Sequence, residues 1–256
     1  MVSNAHLQHI GSANLLTSWY EFSIFWDLYI AAIYGILYLC FVAYPIVFSQ
    51  IRGWSPGISG LAFTGIGVGS FLVIGAEPLI RRMINAHKVD PETGKVPPEA
   101  MVSVVCIAAV LVPLGELWFA WTCVPVTTHW IWPILAGIPF GAGNTTVFIY
   151  ANNYLTHSYG IYAASAMAGN SVVRSLIGGT LPLAGPAMYA NLGPHWAGTL
   201  LGLVQVAIIP IPVVFYKYGA RIRMKSALIS SMQADKARLE GKREKANKAE
   251  NEKIEA

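Results

Sequence analysis

Two ionisable side chains stand deep inside long apolar stretches of this sequence, where a charge is costly. Glu116 lies within residues 115–118 and Arg174 within residues 170–175. A charged group in such a setting is a functional candidate by default. Glu116 could take up a proton or hold a cationic group, and the open alternative is a satisfied carboxylate near the outer interface. Arg174 needs an anionic or carbonyl partner, and a structural ion pair or helix cap explains it as well as substrate contact does.

The other polar groups in these stretches are weaker candidates. Asp27 and Glu77 fall near the ends of their stretches, where water reaches them, and a structural role is favoured for both. Amide side chains add polarity further along the chain, at Asn144, Asn152, Asn153 and Asn170. Apart from the two deep charges, the later stretches therefore offer mainly amides.

Catalytic and metal-binding patterns are absent from the sequence. It contains no GxSxG, no HExxH and no phosphate-binding glycine loop with GK[ST]. The six histidines are scattered, and Cys40, Cys106 and Cys123 have no ligand spacing. The sequence therefore predicts that the protein is not an enzyme, holds no metal and uses no cofactor.

Composition indicates the elements that position these residues. Of 256 residues, 55% are hydrophobic and 12% charged, which is about half the usual charged fraction. A helix needs about 20 apolar residues to cross a hydrocarbon core of about 30 Å. Six stretches meet that length: 23–48, 57–80, 101–123, 130–153, 163–189 and 196–216.

The sequence therefore predicts an all-α membrane protein in three parts. They are an N-terminal segment at 1–21, a transmembrane bundle of six helices at 22–218 and a charged cytosolic tail at 219–256. Small residues at helical spacing predict close helix approach in the bundle, at Gly65 with Gly69 and at Gly137 with Gly141. Tryptophans near the proposed span ends indicate interfacial belts: Trp26, Trp54, Trp121, Trp130 and Trp196.

Basic residues predict the orientation. Residues 217–256 hold eleven Lys and Arg against six Asp and Glu, and residues 81–100 hold four more basic side chains. Positive charge is concentrated on the cytosolic side of membrane proteins, so both regions and both termini are expected in the cytosol. The basic tail adjoins a hydrophobic helix and has no recognition motif, which argues against nucleic acid. A solvated tail is favoured, and contact with anionic lipid of the cytosolic leaflet is the open alternative.

Several strings resemble the second half of fungal drug:proton antiporters of the major facilitator superfamily, the group that includes polyamine exporters. The resemblance covers residues from about 22 to 225. It is carried by Tyr34-Gly35-Ile36-Leu37-Tyr38, Tyr44-Pro45-Ile46-Val47-Phe48, Arg52-Gly53-Trp54, Gly60-Leu61-Ala62-Phe63, Phe119-Ala120-Trp121-Thr122, Asn153-Tyr154-Leu155, Tyr162-Ala163-Ala164-Ser165-Ala166, Arg174-Ser175, Pro182-Leu183, Tyr189, Leu192-Gly193 and Tyr218-Gly219.

The resemblance implies a fold of two six-helix halves, with substrate bound near the middle of the bilayer between them. The signatures of the first half are missing, so this chain would be the C-terminal half and its partner a separate N-terminal six-helix half. The implied function is proton-coupled export of organic cations, drugs or polyamines by alternating access. The substrate or proton path would use Tyr34, Tyr38, Glu116, Asn144 and Arg174.

Two further expectations come with the resemblance. The membrane would be the plasma membrane, with the vacuolar membrane as the alternative. A different class of function also stays open: a truncated, transport-inactive membrane protein that acts only by binding a partner.

The chain departs from the family pattern at two cytosolic positions. The family commonly reads Pro-Glu-Ala-Arg-Leu where this chain has residues 98–102, so Glu99 is kept but the arginine that could anchor the loop is not. An aspartate is frequent where this chain has His157, which places a titratable imidazole in that cytosolic contact. Both residues are expected to contact the cytosolic loops.

Overall fold

The computed structural model describes the backbone of residues 3–89, 94, 96–160, 163–225 and 241, with side chains from residue 24 to 219 and at residue 241. The regular elements in this part of the chain are all helical, as predicted. In chain order they are α1 (Ser3–Tyr44), α2 (Pro56–Leu61), α3 (Thr64–Gly75), α4 (Glu77–Asn85), α5 (Glu99–Thr122), α6 (Ile131–Tyr159), α7 (Ala163–Ile208) and α8 (Pro210–Lys225).

Prolines reshape the first two spans. Helix α1 continues as a π-helical segment, Pro45–Ile51, because Pro45 has no N–H for the regular hydrogen-bond ladder. The second span was predicted as one stretch, 57–80, but it comprises α2, α3 and α4. The break between α3 and α4 precedes Pro78, whose ring would clash with the carbonyl of Ile74 in an unbroken helix.

The last two predicted spans are joined in one long helical stretch. Within the part of the chain that the structure describes, five helical stretches are long and apolar enough to cross a membrane, and the last runs from Ala163 to Gly219, 57 residues. That length is about 85 Å, nearly three times the hydrocarbon core. It bends at Gly193, where φ is 75° and ψ is 162°. We call residues 163–192 the outgoing arm and residues 194–208 the return arm.

The two arms pack on different helices, as separate spans do. A Cβ at Gly178 of the outgoing arm would lie 2.9 Å from the Tyr34 ring on α1. A Cβ at Gly198 of the return arm would lie 2.7 Å from Cβ of Ala120 on α5. With the bend counted, the bundle has the six membrane spans that were predicted.

The two predicted GxxxG patterns meet each other. A methyl group at Gly65 or Gly69 of α3 would overlap the carbonyl of Ile134 or Ile138 on α6. In the other direction, a Cβ at Gly141 of α6 would overlap backbone atoms of α3. The predicted close helix approach is confirmed, and this contact of backbones forms one wall of the bundle.

Each end of the bundle has its own set of polar and aromatic residues. We call the end with residues 81–99 and the start of α7 the basic end, and the end with residues 52–55, 123–130 and Gly193 the opposite end. At the opposite end, Arg52 donates hydrogen bonds to the carbonyls of Thr128 (2.9 Å) and Cys123 (3.1 Å). This guanidinium therefore occupies the carbonyl terminus of α5, where a cation is favoured.

The tryptophan prediction holds for four of five residues. Trp54 lies 6.0 Å from Trp130, and Trp121 lies 6.5 Å from Trp196, all at the opposite end. Trp26 is different, because it is only 1% exposed and donates its Nε1 hydrogen to the carbonyl of Ala151 at 3.2 Å. It is a core residue of the basic end instead of a belt residue.

Three sequence predictions fall largely outside the described residues. Most of the predicted tail, 219–256, lies there, as do the side chains of the predicted N-terminal segment, 1–21, and Lys95. At the basic end, Arg81 donates a hydrogen bond to Glu77 on the exposed surface of α4, and this carboxylate raises the pKa of Arg81. The pair is open to solvent, so it adds little to stability.

Candidate functional site

A cavity of about 270 Å³ lies between α1, α3 and α6. Its position is close to the middle of the bundle, since Asn144 stands near the centre of the 29-residue helix α6. Its lining is mostly apolar: Ile30, Ile33, Tyr34, Leu37, Ile66, Ser70, Gly141, Asn144, Thr145, Val147 and Phe148. The cavity therefore combines an apolar surface with a few polar groups, as small-molecule sites do.

The charged group of this site is Arg174 on the outgoing arm. Its guanidinium carbon lies 4.8 Å from the centroid of the Tyr34 ring and 4.9 Å from that of Phe148. Both rings line the cavity, so the cation stands directly behind its wall. We expected an anionic or carbonyl partner for Arg174, and the described contacts are instead the faces of two aromatic rings.

Hydroxyl and amide groups supply the polar part of the cavity. Thr145 on α6 donates a hydrogen bond to Ser70 on α3 at 2.7 Å. Asn144 donates to the carbonyl of Phe140 at 2.9 Å, one turn earlier on its own helix. The Tyr34 hydroxyl donates to that of Tyr38 at 2.8 Å on the exposed side of α1. Four of the five predicted path residues, Tyr34, Tyr38, Asn144 and Arg174, thus lie in or beside one cavity.

Glu116, the fifth predicted path residue, belongs to a different cluster. It is 2% exposed, and its Oε2 accepts a hydrogen bond from the Cys40 thiol at 3.8 Å. A Cβ at Gly198 on the return arm would lie 3.8 Å from its Oε1. Glu116 therefore stands where α1, α5 and the return arm meet.

This buried acid cluster also includes two tyrosines. The hydroxyls of Tyr44 and Tyr189 lie within electrostatic range of the Glu116 carboxylate. Glu116 Oε1 and the Tyr189 hydroxyl are buried and have no hydrogen-bond partner among the described residues. A satisfied carboxylate, the alternative interpretation, would have its oxygens paired, and this one has a single weak thiol donor.

The cavity and the acid cluster are adjacent but separate. Cys40 contacts Glu116, whereas Tyr34 lines the cavity six residues earlier on α1, about 9 Å along the helix. Tyr189 lines a second cavity, of about 340 Å³, at the opposite end between α1 and the bend of α7. The cation beside the cavity and the buried carboxylate of Glu116 thus have separate locations in this bundle.

The candidates of the basic end make local contacts. Asn170 donates a hydrogen bond to Asp27 at 2.7 Å, which joins α1 to the outgoing arm one turn from Arg174. Glu99 is buried at the start of α5, and a Cβ at Gly219 would lie 3.2 Å from its Cγ. His157 is exposed, and its Nδ1 lies 2.8 Å from the carbonyl of Asn153 on its own helix.

Similar proteins are fungal membrane transporters. An MFS-type efflux pump, MFS2 of Trichophyton rubrum, is 44% identical over 220 residues, which are 83% of this chain and 37% of that protein. The major facilitator superfamily multidrug transporter mdrA of Aspergillus fumigatus is 43% identical over 230 residues, 90% of this chain and 37% of that protein. This chain belongs to the major facilitator superfamily.

A third relative has the same character. Efflux pump FUB11 of Gibberella moniliformis is 44% identical over 199 residues, 78% of this chain and 33% of that protein. The chain matches no protein-family model and no solved structure. It spans about a third of the length of these curated relatives, which are described as efflux pumps and a multidrug transporter.

Several residues of the candidate site were not predicted from the sequence. Phe148 stands four residues after Asn144, so helical spacing alone could have placed it on the same face of α6. Ser70 and Thr145 lie one residue after Gly69 and Asn144, yet their pairing depends on how α3 crosses α6. Nothing in the sequence places Tyr189 near Glu116, because their proximity depends on how the outgoing arm packs on the bundle.

Proposed function

We propose that this chain is the C-terminal half of a proton-coupled exporter of small organic molecules that works by alternating access. The observation that carries the proposal is the cavity near the middle of α6, with two aromatic rings, a cation, an amide and two hydroxyls around an apolar surface. The family's transport of substrate between two six-helix halves supports it, as does the length of the relatives.

Within that function, drugs fit this wall of the cavity better than polyamines do. A polyamine is a multivalent cation, and its binding requires carboxylates. None of the described lining residues is acidic, and Arg174 stands behind the wall. Aromatic drugs, by contrast, can stack on Tyr34 and Phe148.

The acid cluster supplies the proton step of the proposal. A buried carboxylate without a cationic partner is costly as an anion, and a bound proton removes that cost. Glu116 contacts α1 and the return arm together, so a change in its protonation bears on the packing of both. This arrangement supports a proton site that is coupled to helix movement.

The alternative is a transport-inactive membrane protein that acts only by binding a partner. The test is to reconstitute the purified chain in liposomes with a proton gradient, alone and after co-expression with the N-terminal half of a related exporter. Flux of an azole drug and of spermidine is measured.

The proposal expects azole flux only when both halves are present and the gradient is imposed. No flux with either arrangement, for a pair that co-purifies, would support the inactive protein. Flux from this chain alone would mean a carrier built from copies of the chain itself.

A further inference from the structure

We infer that the cavity between α1, α3 and α6 binds an aromatic organic anion, whose ring lies against Tyr34 and Phe148 and whose carboxylate reaches Arg174. The inference rests on the proposed function and specifies its substrate class. It differs from the sequence analysis, which expected organic cations, drugs or polyamines. It concerns the charge of the ligand, which the flux experiment above leaves open.

The geometry of Arg174 leaves its donors available for a ligand. A guanidinium is planar, with ring-stacking faces and N–H donors around its edge. Tyr34 and Phe148 lie at 4.8 and 4.9 Å from its central carbon, the range of stacking contacts on a cation. Such contacts use the electrostatic attraction of the ring and leave the edge free to form the paired hydrogen bonds that a carboxylate accepts.

One N–H donor of Arg174 lacks a hydrogen-bond acceptor in the described structure. Its Nε is buried and has no hydrogen-bond partner among the described residues. A buried N–H of a charged group without an acceptor is costly, and a ligand carboxylate would supply the acceptor. Arg52 also has a buried Nε without a described partner, but its other nitrogens donate to backbone carbonyls, whereas the contacts described for Arg174 are two aromatic rings.

The nearby acids are engaged elsewhere. Asp27, seven residues before Tyr34 on α1, accepts a hydrogen bond from Asn170. Glu116 stands in the acid cluster and not in the cavity lining. The charged group described against the cavity-lining rings is Arg174, and a cation there attracts an anionic ligand and repels a cationic one.

The size and polarity of the cavity agree with an aromatic acid. Its volume of about 270 Å³ and its apolar lining suit one or two fused or linked rings. Thr145 and Ser70 add a hydroxyl pair to the cavity lining, which can bind a further oxygen of the ligand. A larger cavity, of about 570 Å³ between α1, α7 and α8, is almost wholly apolar and offers no comparable charge.

Three isosteric probes test the inference on the full-length chain in lipid nanodiscs at neutral pH. They are biphenyl-4-carboxylate, biphenyl-4-carboxamide and biphenyl-4-methylammonium, which share the ring system and differ in charge. Equilibrium binding is measured by calorimetry. We expect the carboxylate to bind at least ten times more tightly than the amide, and the ammonium compound to bind most weakly.

Variants assign the preference to Arg174. Arg174→Gln should bring carboxylate affinity to within about twofold of amide affinity, whereas Arg174→Lys should keep most of the preference. Lys88→Gln, which removes an exposed cation outside the cavity, is the matched control and should change nothing. Helical content and monodispersity are checked for each variant, and the probe series on the unmodified chain gives a result even where a variant fails to fold.

Three results would overturn the inference: equal or tighter binding of the ammonium compound, a carboxylate preference that survives Arg174→Gln, or no binding of any probe. These results do not decide the proposed function. A chain that binds the ammonium compound and still exports an azole with its partner half remains a transporter with a different substrate class. A chain without export fails as a transporter whatever it binds.

Discussion

At the scale of single residues, the two deep charges have different surroundings and different proposed tasks. Arg174 is stacked against two rings beside the cavity, whereas Glu116 is buried beside Cys40, which lies about 9 Å after Tyr34 along α1. One group thus faces the space where an organic molecule fits, and the other is closed off from it. This separation is what a carrier with distinct substrate and proton sites requires.

The role of Glu116 can be tested by separating proton-driven accumulation from simple exchange. In the assembled two-half transporter, Glu116→Gln should lower proton-driven azole accumulation at least tenfold, because the amide cannot carry the proton. Substrate exchange without a gradient should persist. Both are measured as radiolabel flux in liposomes, with Glu77→Gln, on the exposed surface of α4, as the control. Unchanged accumulation would return Glu116 to a structural role.

At the scale of helices, glycines decide how closely the spans approach. The α3 and α6 backbones touch at Gly65 and Gly69, and α5 and α6 are equally close at Gly115 and Gly143. Two further pairs, Gly178 with Tyr34 and Gly198 with Ala120, fix the arms of α7. The cavity exists because these contacts hold four helices at fixed separations.

Adding one methyl group to α3 should have different effects on stability at its packed face and at its open face. Gly65→Ala should destabilise the bundle by about 1–3 kcal/mol, since the methyl overlaps the carbonyl of Ile134 and the helices must separate. Gly67→Ala, two residues along, meets nothing within 4 Å and should be neutral or slightly stabilising. Thermal unfolding in detergent compares them, and equal stability of the two variants would contradict the packing.

The bend of α7 should depend on the backbone freedom of one residue. At Gly193 φ is 75°, so Gly193→Ala should cost about 1–3 kcal/mol of stability. Gly179→Ala in the outgoing arm has open space and no unusual φ, so it serves as the control. The two variants are compared by thermal unfolding. A Gly193→Ala chain as stable as the unmodified protein would argue against the bend.

The elements that sequence predicted well are those that depend on local pattern. Apolar length gave the six spans, and the spacing of Gly65, Gly69, Gly137 and Gly141 gave a close helix approach. The predictions that were wrong or missing concern contacts that depend on tertiary structure. Trp26 is buried because Tyr154 and Phe215 enclose it at 5.0 and 4.7 Å, and Arg174 has ring partners that lie 26 and 140 residues away in the chain.

At the scale of the whole molecule, the bundle has two chemically different ends and an exposed apolar surface. Phe71 and Leu72 on α3 and Leu183 on the outgoing arm are more than half exposed in the chain alone. Lipid can cover such side chains, and so can a second six-helix half. The relatives are long enough to contain one, which is why we propose a shared cavity.

The basic end should face the cytosol, because Lys and Arg are concentrated in residues 81–100 and after residue 217. Single cysteines at Lys88 and Thr127, both exposed, test this in a Cys106→Ala background. In intact cells an impermeant thiol reagent should label the cysteine at position 127 at once and the one at position 88 only after permeabilisation. The reverse pattern would invert the topology.

The central claim is that substrate occupies the cavity near mid-membrane, and a single labelling measurement tests it most directly. Thr145→Cys places a thiol in the cavity wall, and Cys106→Ala removes the half-buried native thiol while Cys40 and Cys123 stay buried. In the assembled transporter, a transported azole should slow maleimide labelling of this thiol at least fivefold and leave a cysteine at position 127 unaffected. Labelling at position 145 that ignores saturating substrate would contradict the account.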